Sequence, residues 1–495
     1  MILEWICITI YSASLIMILF YALAQLNLLF NYLSAKKTTQ KQFNYTQLKE
    51  DQIPYVTIQL PVYNELYVME RLLDNIAKIE YPREKLEIQV LDDSTDESLE
   101  STALHINRLQ QLGLDINHIK RTDRSGFKAG ALKEGLKTAK GEVIAIFDAD
   151  FLPDSDWLKK TVPYFLDDQI GVVQTRWAHL NRNFSILTQV QAFALDAHFT
   201  LEQTGRNSKG HFINFNGTAG IWRRETILDA GNWEGDTLTE DLDLSYRAQL
   251  KKWKFKYLED VTTPAELPIV ISAARSQQFR WNKGGAENFR KMFKRVIGSD
   301  LSVKSKLHGI LHLLNSTMFL NVFIVAVLSI PMLYIKNEYA HLKTYFIVMS
   351  FFVLSTIIFF ICYWFMYRNS YGGGFKNFVR YIGMFFTFFS IAMGFSLHNS
   401  IAVIEGHMGK RSEFVRTPKF NLAAVGGNWR ANKYLRKNLS PHVILEGLLM
   451  LYFAFGMYSA FIVGDQGGDF GLFPFHLMLF IGFGFVFFRS LTDKT

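Results

Sequence analysis

Apolar residues gather into six long runs, and a polar-rich stretch of mixed pattern separates the first run from the rest. Residues 5–31 (WICITIYSASLIMILFYALAQLNLLFN) carry no charge and exceed the roughly 20 residues an α-helix needs to cross a bilayer. No Lys or Arg precedes this run and no small-residue cleavage site follows it. It is therefore expected to stay as an anchor over 1–33 rather than to leave as a signal peptide. The other runs are 310–334, 344–367, 378–404, 443–464 and 470–489.

Between the first and second runs, residues 34–306 read as a soluble α/β domain. YVTIQLPVYNE (55–65), LEIQVLDDSTDES (86–98), GEVIAIFDADFLP (141–153) and GVVQTRW (171–177) are buried-strand patterns. Helical patterns such as YVMERLLDNIAKI and ESTALHINRLQQLGL lie between them, and that alternation predicts a mainly parallel sheet. Ligands on such sheets bind outside the carboxyl ends of the strands. The polar clusters fall at those ends: Tyr63 and Glu65 after the first strand, Asp92 and Asp93 after the second, Asp148 and Asp150 after the third.

The chemistry of these clusters is specific enough to weigh. On an extended chain Asp148 and Asp150 face one side, so two carboxylates converge as a hard divalent cation requires; the plain alternative is a solvated strand end. Asp92 and Asp93 can accept from a nucleobase or ribose, or merely belong to a helix cap. Lys128, in a glycine-bordered turn entering a helix, can face phosphate or be a surface lysine. Glu240 and Asp241 open the helical pattern of TLTEDLDLSYRAQLKKW. They suit a general base beside an anionic ligand, or a capping box of Thr237 with Glu240. RSQQFRWNKGGAENFRKMF (275–293) places Gln277, Arg280 and Trp281 ahead of a Gly-Gly break and a basic amphipathic run, just before the second apolar run. An interfacial Arg-Trp anchor is the plain reading there.

Charge sets the expected topology. Residues 405–442 hold eight Lys or Arg against two Glu, and 368–380 carries Arg368, Lys376 and Arg380 with no acid. Basic loops stay cytoplasmic. With both loops inside, 378–404, which contains Gly383, Gly394, His398 and Asn399, is expected to lie in the interface or re-enter. That gives five crossings with the large domain and the C-terminus inside; the competing arrangement is a sixth span with 368–377 outside. The net charge of +8 is then a membrane-topology signal and does not point to nucleic acid. Cys7 and Cys362 both fall in apolar runs and suggest no disulfide or metal framework.

The order Asp93, D-A-D (148–150), T-E-D (239–241) and Q-Q-F-R-W (277–281) resembles the D, DxD, D, QxxRW signature of membrane-integrated, processive family 2 glycosyltransferases, the cellulose synthase superfamily. FKAGALKEGL (127–136), VVQTRW (172–177), DAHFTLEQ (196–203) and FNGTAG (215–220) are most similar to the cellulose synthase-like A and C families, which make mannan, glucomannan and glucan backbones. The resemblance is strong over 52–295 and loose over the membrane half. It implies a Rossmann-like GT-A α/β domain with a mainly parallel sheet, fused to an α-helical transmembrane domain. The units would be a catalytic domain over 34–274, the QxxRW motif and an interfacial helix over 275–306, and a channel region over 307–495. It places the enzyme in the cell inner or plasma membrane with its catalytic domain cytoplasmic.

By the same resemblance, the donor is a nucleotide sugar, GDP-mannose or UDP-glucose, the acceptor a growing β-glycan, and the cofactor Mn²⁺ or Mg²⁺. Tyr63, Glu65, Asp92, Asp93, Lys128, Asp148 and Arg280 would bind the donor, and Asp148 and Asp150 the metal. Asp241, with Glu240 beside it, would be the catalytic base; Gln277 and Trp281 would hold the acceptor end. The family's gating loop reads FxVTxK. Here FVRTPK (414–419) keeps Phe414, Thr417 and Lys419 but displaces the valine. Two rival readings remain: a lipid glucosyltransferase adding one sugar to ceramide or diacylglycerol, and a transporter or membrane scaffold with a non-catalytic sugar-nucleotide-binding domain. The second would be free to lose the D-A-D pair and Asp241, which this chain keeps.

Overall fold

The computed structural model describes residues 2–37, 43–422, 429–435, 441–464 and 467–493. Seven strands form one sheet: β1 (Val56–Val62), β2 (Leu86–Asp92), β3 (Ile116–Lys120), β4 (Val143–Ile146), β5 (Ile170–His179), β6 (Gly220–Arg223) and β7 (Lys254–Ala265), in the order β3-β2-β1-β4-β6-β5-β7. All neighbours are parallel except β6, which runs antiparallel to both β4 and β5. The four strands expected from pattern are present. β3, β6 and β7 are additions that pattern did not reveal. β3 (INHIK) is a short edge strand, β6 has four residues, and β7 begins KFKYLED, charged beyond what a buried strand carries.

The two faces of β1 are both buried but differ in chemistry. Val56, Ile58, Leu60 and Val62 join Ile88, Val90, Val143 and Ala145 in one apolar core. On the other face Thr57 donates to Glu87 at 2.7 Å and Gln59 to Gln89 at 3.0 Å, so these buried polar side chains pair across the ladder rather than facing solvent, with Gln59 Oε1 left without a partner.

Among the described residues five helices are long and apolar enough to cross a membrane: Ile2–Lys37, Thr317–Glu338, Ala340–Tyr371, His442–Ile462 and Phe473–Thr492. The 378–404 run lies in the pair Phe375–Gly394 and Ser396–Met408, bent by 52° at its break, which is a sixth span only if the pair is taken as one. At the bend, Gly394 sits against the backbone of Gly482, and a Cβ there would lie 2.2 Å from the Gly482 carbonyl oxygen.

The long helix Ile271–Ile297 links the sheet to these helices. It runs without interruption through Gly284 and Gly285, so the Gly-Gly break expected from sequence is not a break. The glycines serve close packing instead: a Cβ on Gly284 would lie 2.5 Å from Thr239 Oγ1, and one on Gly285 3.0 Å from Ser316 Oγ. The N-terminus of this helix is tied to the membrane helices twice. Ile271 N donates to Asp493 Oδ2 at 2.7 Å, and Arg275 forms a buried ion pair with Glu446.

Candidate active site

One cavity lies over the carboxyl ends of β1, β2, β4 and β5, and it gathers every site residue named from sequence except Asp92. Asp92 ends β2 with its side chain fully buried, accepting from His118 Nε2 at 2.8 Å and from Ser94 N at 2.9 Å. Successive strand residues face opposite sides, so only Asp93 of the pair reaches the cavity. Both Asp93 oxygens are engaged by Arg121, at 2.9 and 2.5 Å. Asp93 therefore holds the 121–127 turn in place as well as lining the site.

Tyr63 and Glu65 flank Asn64, which turns the chain at the end of β1 with φ of 54°. Asn tolerates that left-handed conformation, and Asn64 is pinned by Ser94 Oγ and Thr95 N. Asp148 and Asp150 follow β4, not on the extended chain expected from sequence but in a turn that Phe151 N closes on the Asp148 carbonyl at 3.0 Å, and each already faces a cation. Lys128 Nζ lies 2.5 Å from Asp148 Oδ1 and donates to the Gly217 carbonyl at 2.9 Å, while Lys419 Nζ lies 2.5 Å from Asp150 Oδ1. Burial raises the Asp150 pKa even against Lys419. Asp148 is also buried, yet the Lys128 charge holds it below the usual carboxylate value.

Two converging carboxylates that take an ammonium at contact distance are a fitting donor set for a hard divalent cation. A separate acidic triad, Glu234, Asp236 and Asp243, already holds a cation: Lys291 Nζ lies 2.7 to 2.8 Å from all three, and Arg247 pairs with Asp243 at 2.6 Å.

Glu240 and Asp241 open the helix Glu240–Leu250. The capping box of Thr237 with Glu240 is not formed: the N-cap residue is Thr239, and both threonine hydroxyls accept from Asn288. Glu240 is thereby free to line the cavity beside Asp241. Burial, reinforced by the Glu240 charge, pushes the Asp241 carboxyl up to about 7, and burial raises Glu240 as well. Gly217, at φ of 80°, closes on this pair, and a Cβ there would lie 3.1 Å from Asp241 Oδ2. The FNGTAG loop thus needs its glycine to approach the carboxylate.

Gln277, Arg280 and Trp281 line the opposite wall from one face of helix Ile271–Ile297. Trp281 is 38% exposed and neighbours Trp177 at 6.5 Å between ring centroids. The FVRTPK segment lies across the site as a strap. Phe414 stacks on Phe127 at 5.6 Å and faces the Arg280 guanidinium at 4.6 Å, and Thr417 Oγ1 accepts from Arg280 at 3.0 Å. Arg416 pairs with Glu65 at 2.9 Å, and Lys419 lies 3.8 Å from the same carboxylate. Two stretches of the 405–442 loop, 423–428 and 436–440, fall outside the described residues.

Sequence reasoning passed over Arg121, Arg124, Trp177 and Arg416. Arg416 sits inside a segment already singled out, and the RTDR tetrapeptide just before FKAGAL was the available signal for the two arginines.

Residues 54–284 match the family Glycosyltransferase like family 2. The chain is 41% identical over 270 residues to Glucomannan 4-beta-mannosyltransferase 1 of Oryza sativa subsp. japonica, covering 53% of this chain and 52% of the relative. It is 40% identical over 282 residues to Glucomannan 4-beta-mannosyltransferase 9 of Arabidopsis thaliana, covering 54% and 53%. The chain spans about half the length of the curated relatives it matches. Among solved structures it is similar in fold to the mannosyltransferase PcManGT from Pyrobaculum calidifontis in complex with GDP-Man and Mn²⁺, with a TM-score of 0.53, 21% identity, and coverage of 83% of this chain and 100% of the other. Sheet order, cavity placement and family match agree: residues 54–284 are a family 2 glycosyltransferase domain with the GT-A fold, joined in this chain to helices of membrane-spanning length.

Proposed function

We propose that this protein is an inverting β-mannosyltransferase that moves mannose from GDP-mannose to a growing β-glycan at the cytoplasmic face and passes the chain into its membrane helices. The observation that carries the reading is the convergence, on one cavity, of the Asp148–Asp150 pair, the cations Lys128 and Arg280, the raised-pKa acid Asp241 and the indole of Trp281. The sequence relatives, named as glucomannan 4-beta-mannosyltransferases, favour mannose over glucose.

Asp148 and Asp150 would hold Mn²⁺ or Mg²⁺, which when bound neutralises charge developing on the departing diphosphate. Lys128 and Arg280 bear on the same oxygens as fixed cations. Asp241 takes the proton of the acceptor hydroxyl, whose oxygen bonds to the anomeric carbon as the bond from that carbon to the diphosphate breaks. One in-line displacement inverts configuration, so an α-linked donor yields a β-linkage. Trp281 offers its ring face to the terminal sugar, and helix Ile271–Ile297 sets that sugar at the entrance to the membrane region. The strap would act as a lid that must leave Asp150 before metal and donor enter.

Protein reconstituted in liposomes with Mn²⁺ and labelled GDP-mannose or UDP-glucose tests this reading. The expected product is a β-mannanase-sensitive polymer from GDP-mannose, lost in Asp241→Asn by roughly 10²- to 10⁴-fold, the usual contribution of a general base. A polymer made only from UDP-glucose overturns the donor assignment. A chloroform-soluble product carrying one sugar overturns the glycan acceptor.

A further inference from the structure

We infer that Arg124 reads the base of the donor and selects guanine over uracil. The inference rests on the donor reading above and adds the residue that enforces it. On that donor reading, Tyr63 and Asp93, at the ends of adjacent strands β1 and β2, would take the base, and Asp148 and Lys128 the diphosphate. Arg124 reaches Tyr63 from the turn that precedes helix Phe127–Thr138, and its guanidinium carbon lies 3.5 Å from the centre of the Tyr63 ring.

Two arginines three residues apart behave in opposite ways. Arg121 is fully engaged: it holds both Asp93 oxygens and donates to the carbonyls of Ser125 and Phe127. Among the described residues the Arg124 side chain makes no hydrogen bond or ion pair, and its Nε is buried without a partner. Its contacts are ring faces, those of Tyr63 and, at 5.8 Å, Phe127.

The backbone beneath it is nevertheless held. Phe127 N donates to the Arg124 carbonyl at 2.9 Å, Gly126 has φ of 71°, and Gly235 packs so closely that a Cβ there would lie 2.5 Å from Gly126 Cα. A guanidinium positioned by a fixed turn, laid on an aromatic floor and left with its donors unspent is arranged for a ligand.

The fork of an arginine pairs best with two acceptors side by side. Guanine offers that edge in O6 and N7, and Arg to O6/N7 is the commonest specific contact to this base. Uracil presents O4 beside a C5–H and so gives the fork one acceptor. Phosphate oxygens are the other acceptors within the donor, and Lys128 and Arg280 already face that end.

Binding of GDP and of UDP to the full chain in detergent micelles with Mn²⁺, by isothermal titration calorimetry, tests the inference. Wild type is expected to prefer GDP. Arg124→Ala should weaken GDP roughly ten- to hundredfold and UDP by no more than about threefold, collapsing the ratio. Arg124→Lys, which keeps the charge and loses the fork, should lose most of the ratio too. Because the Arg124 side chain makes ring-face contacts but no hydrogen bond or ion pair among the described residues, the melting temperature should fall only slightly. Equal weakening of both nucleotides would assign Arg124 to phosphate and overturn the inference while leaving the donor reading intact, as would a GDP preference that survives Arg124→Ala. A wild-type preference for UDP overturns the donor reading, and this inference with it.

Discussion

Removing the Lys419 ammonium should tighten divalent-metal binding in the absence of nucleotide. Lys419 Nζ lies 2.5 Å from Asp150 and 3.8 Å from Glu65 inside the cavity. Burial by itself would lower its pKa, yet the Asp150 and Glu65 charges push it well above the ordinary lysine value, so the group stays charged. A metal on Asp148 and Asp150 has to displace this ammonium first. A hydrogen bond to a charged group contributes about 1.5–3 kcal/mol net, which corresponds to roughly 10- to 100-fold in affinity.

Lys419→Met keeps most of the stem and deletes the charge, so the Mn²⁺ dissociation constant of the nucleotide-free protein should fall by that factor. Electron paramagnetic resonance of free Mn²⁺ reads it directly. The same variant should melt lower without metal, because Asp150 is left as an uncompensated buried carboxylate, and recover with Mn²⁺. An unchanged or weaker Mn²⁺ affinity in Lys419→Met would refute the competition between strap and metal.

Two further outcomes follow from the same geometry. With the Asp241 pKa raised to about 7, the basic form predominates only above that pH. The kcat/KM profile should therefore lose activity as pH falls through about 7, whereas an ordinary aspartate would put that limb near about 4; a limb below pH 5 would contradict the role given to Asp241. Glu446→Ala should destabilise the protein by about 3–5 kcal/mol by leaving Arg275 buried without its partner, and Glu446→Met combined with Arg275→Met should recover much of that loss. Thermal unfolding in detergent checks both variants, and no loss in the single variant would show the pair to be solvated.

Much of the site was legible because its chemistry is local. D-A-D follows a strand end directly, so its two carboxylates reach the same rim even though the chain there is a turn, closed by Phe151 N on the Asp148 carbonyl at 3.0 Å, rather than the extended strand the pattern predicts. An acid pair at a helix start stays together in any fold. Where two local readings competed, packing decided between them. Thr237 and Glu240 have capping-box spacing, but Asn288 takes the hydroxyls of Thr237 and Thr239 and leaves Glu240 to the cavity. Gly284 and Gly285 have the composition of a helix break, but Thr239 and Ser316 need the space that two side chains would fill, so the helix continues. Asp92 and Asp93 are chemically equal in the sequence, and the direction of one strand residue puts the first under the sheet with His118 and the second in the site.

The sequence by itself determined the apolar runs, four strands of the sheet (β1, β2, β4 and β5) and the order of acidic motifs, since each depends on neighbours a few residues apart. Tertiary structure alone decided that β6 enters antiparallel between β4 and β5, that Arg121 is consumed by Asp93 while Arg124 is left unpaired, and that the strap lies in the site. Arg416 meets Asn64 across 352 positions of chain, and Arg275 meets Glu446 across 171. Contacts of that range depend on which surfaces the finished fold brings together, and hydrophobic periodicity carries no record of them.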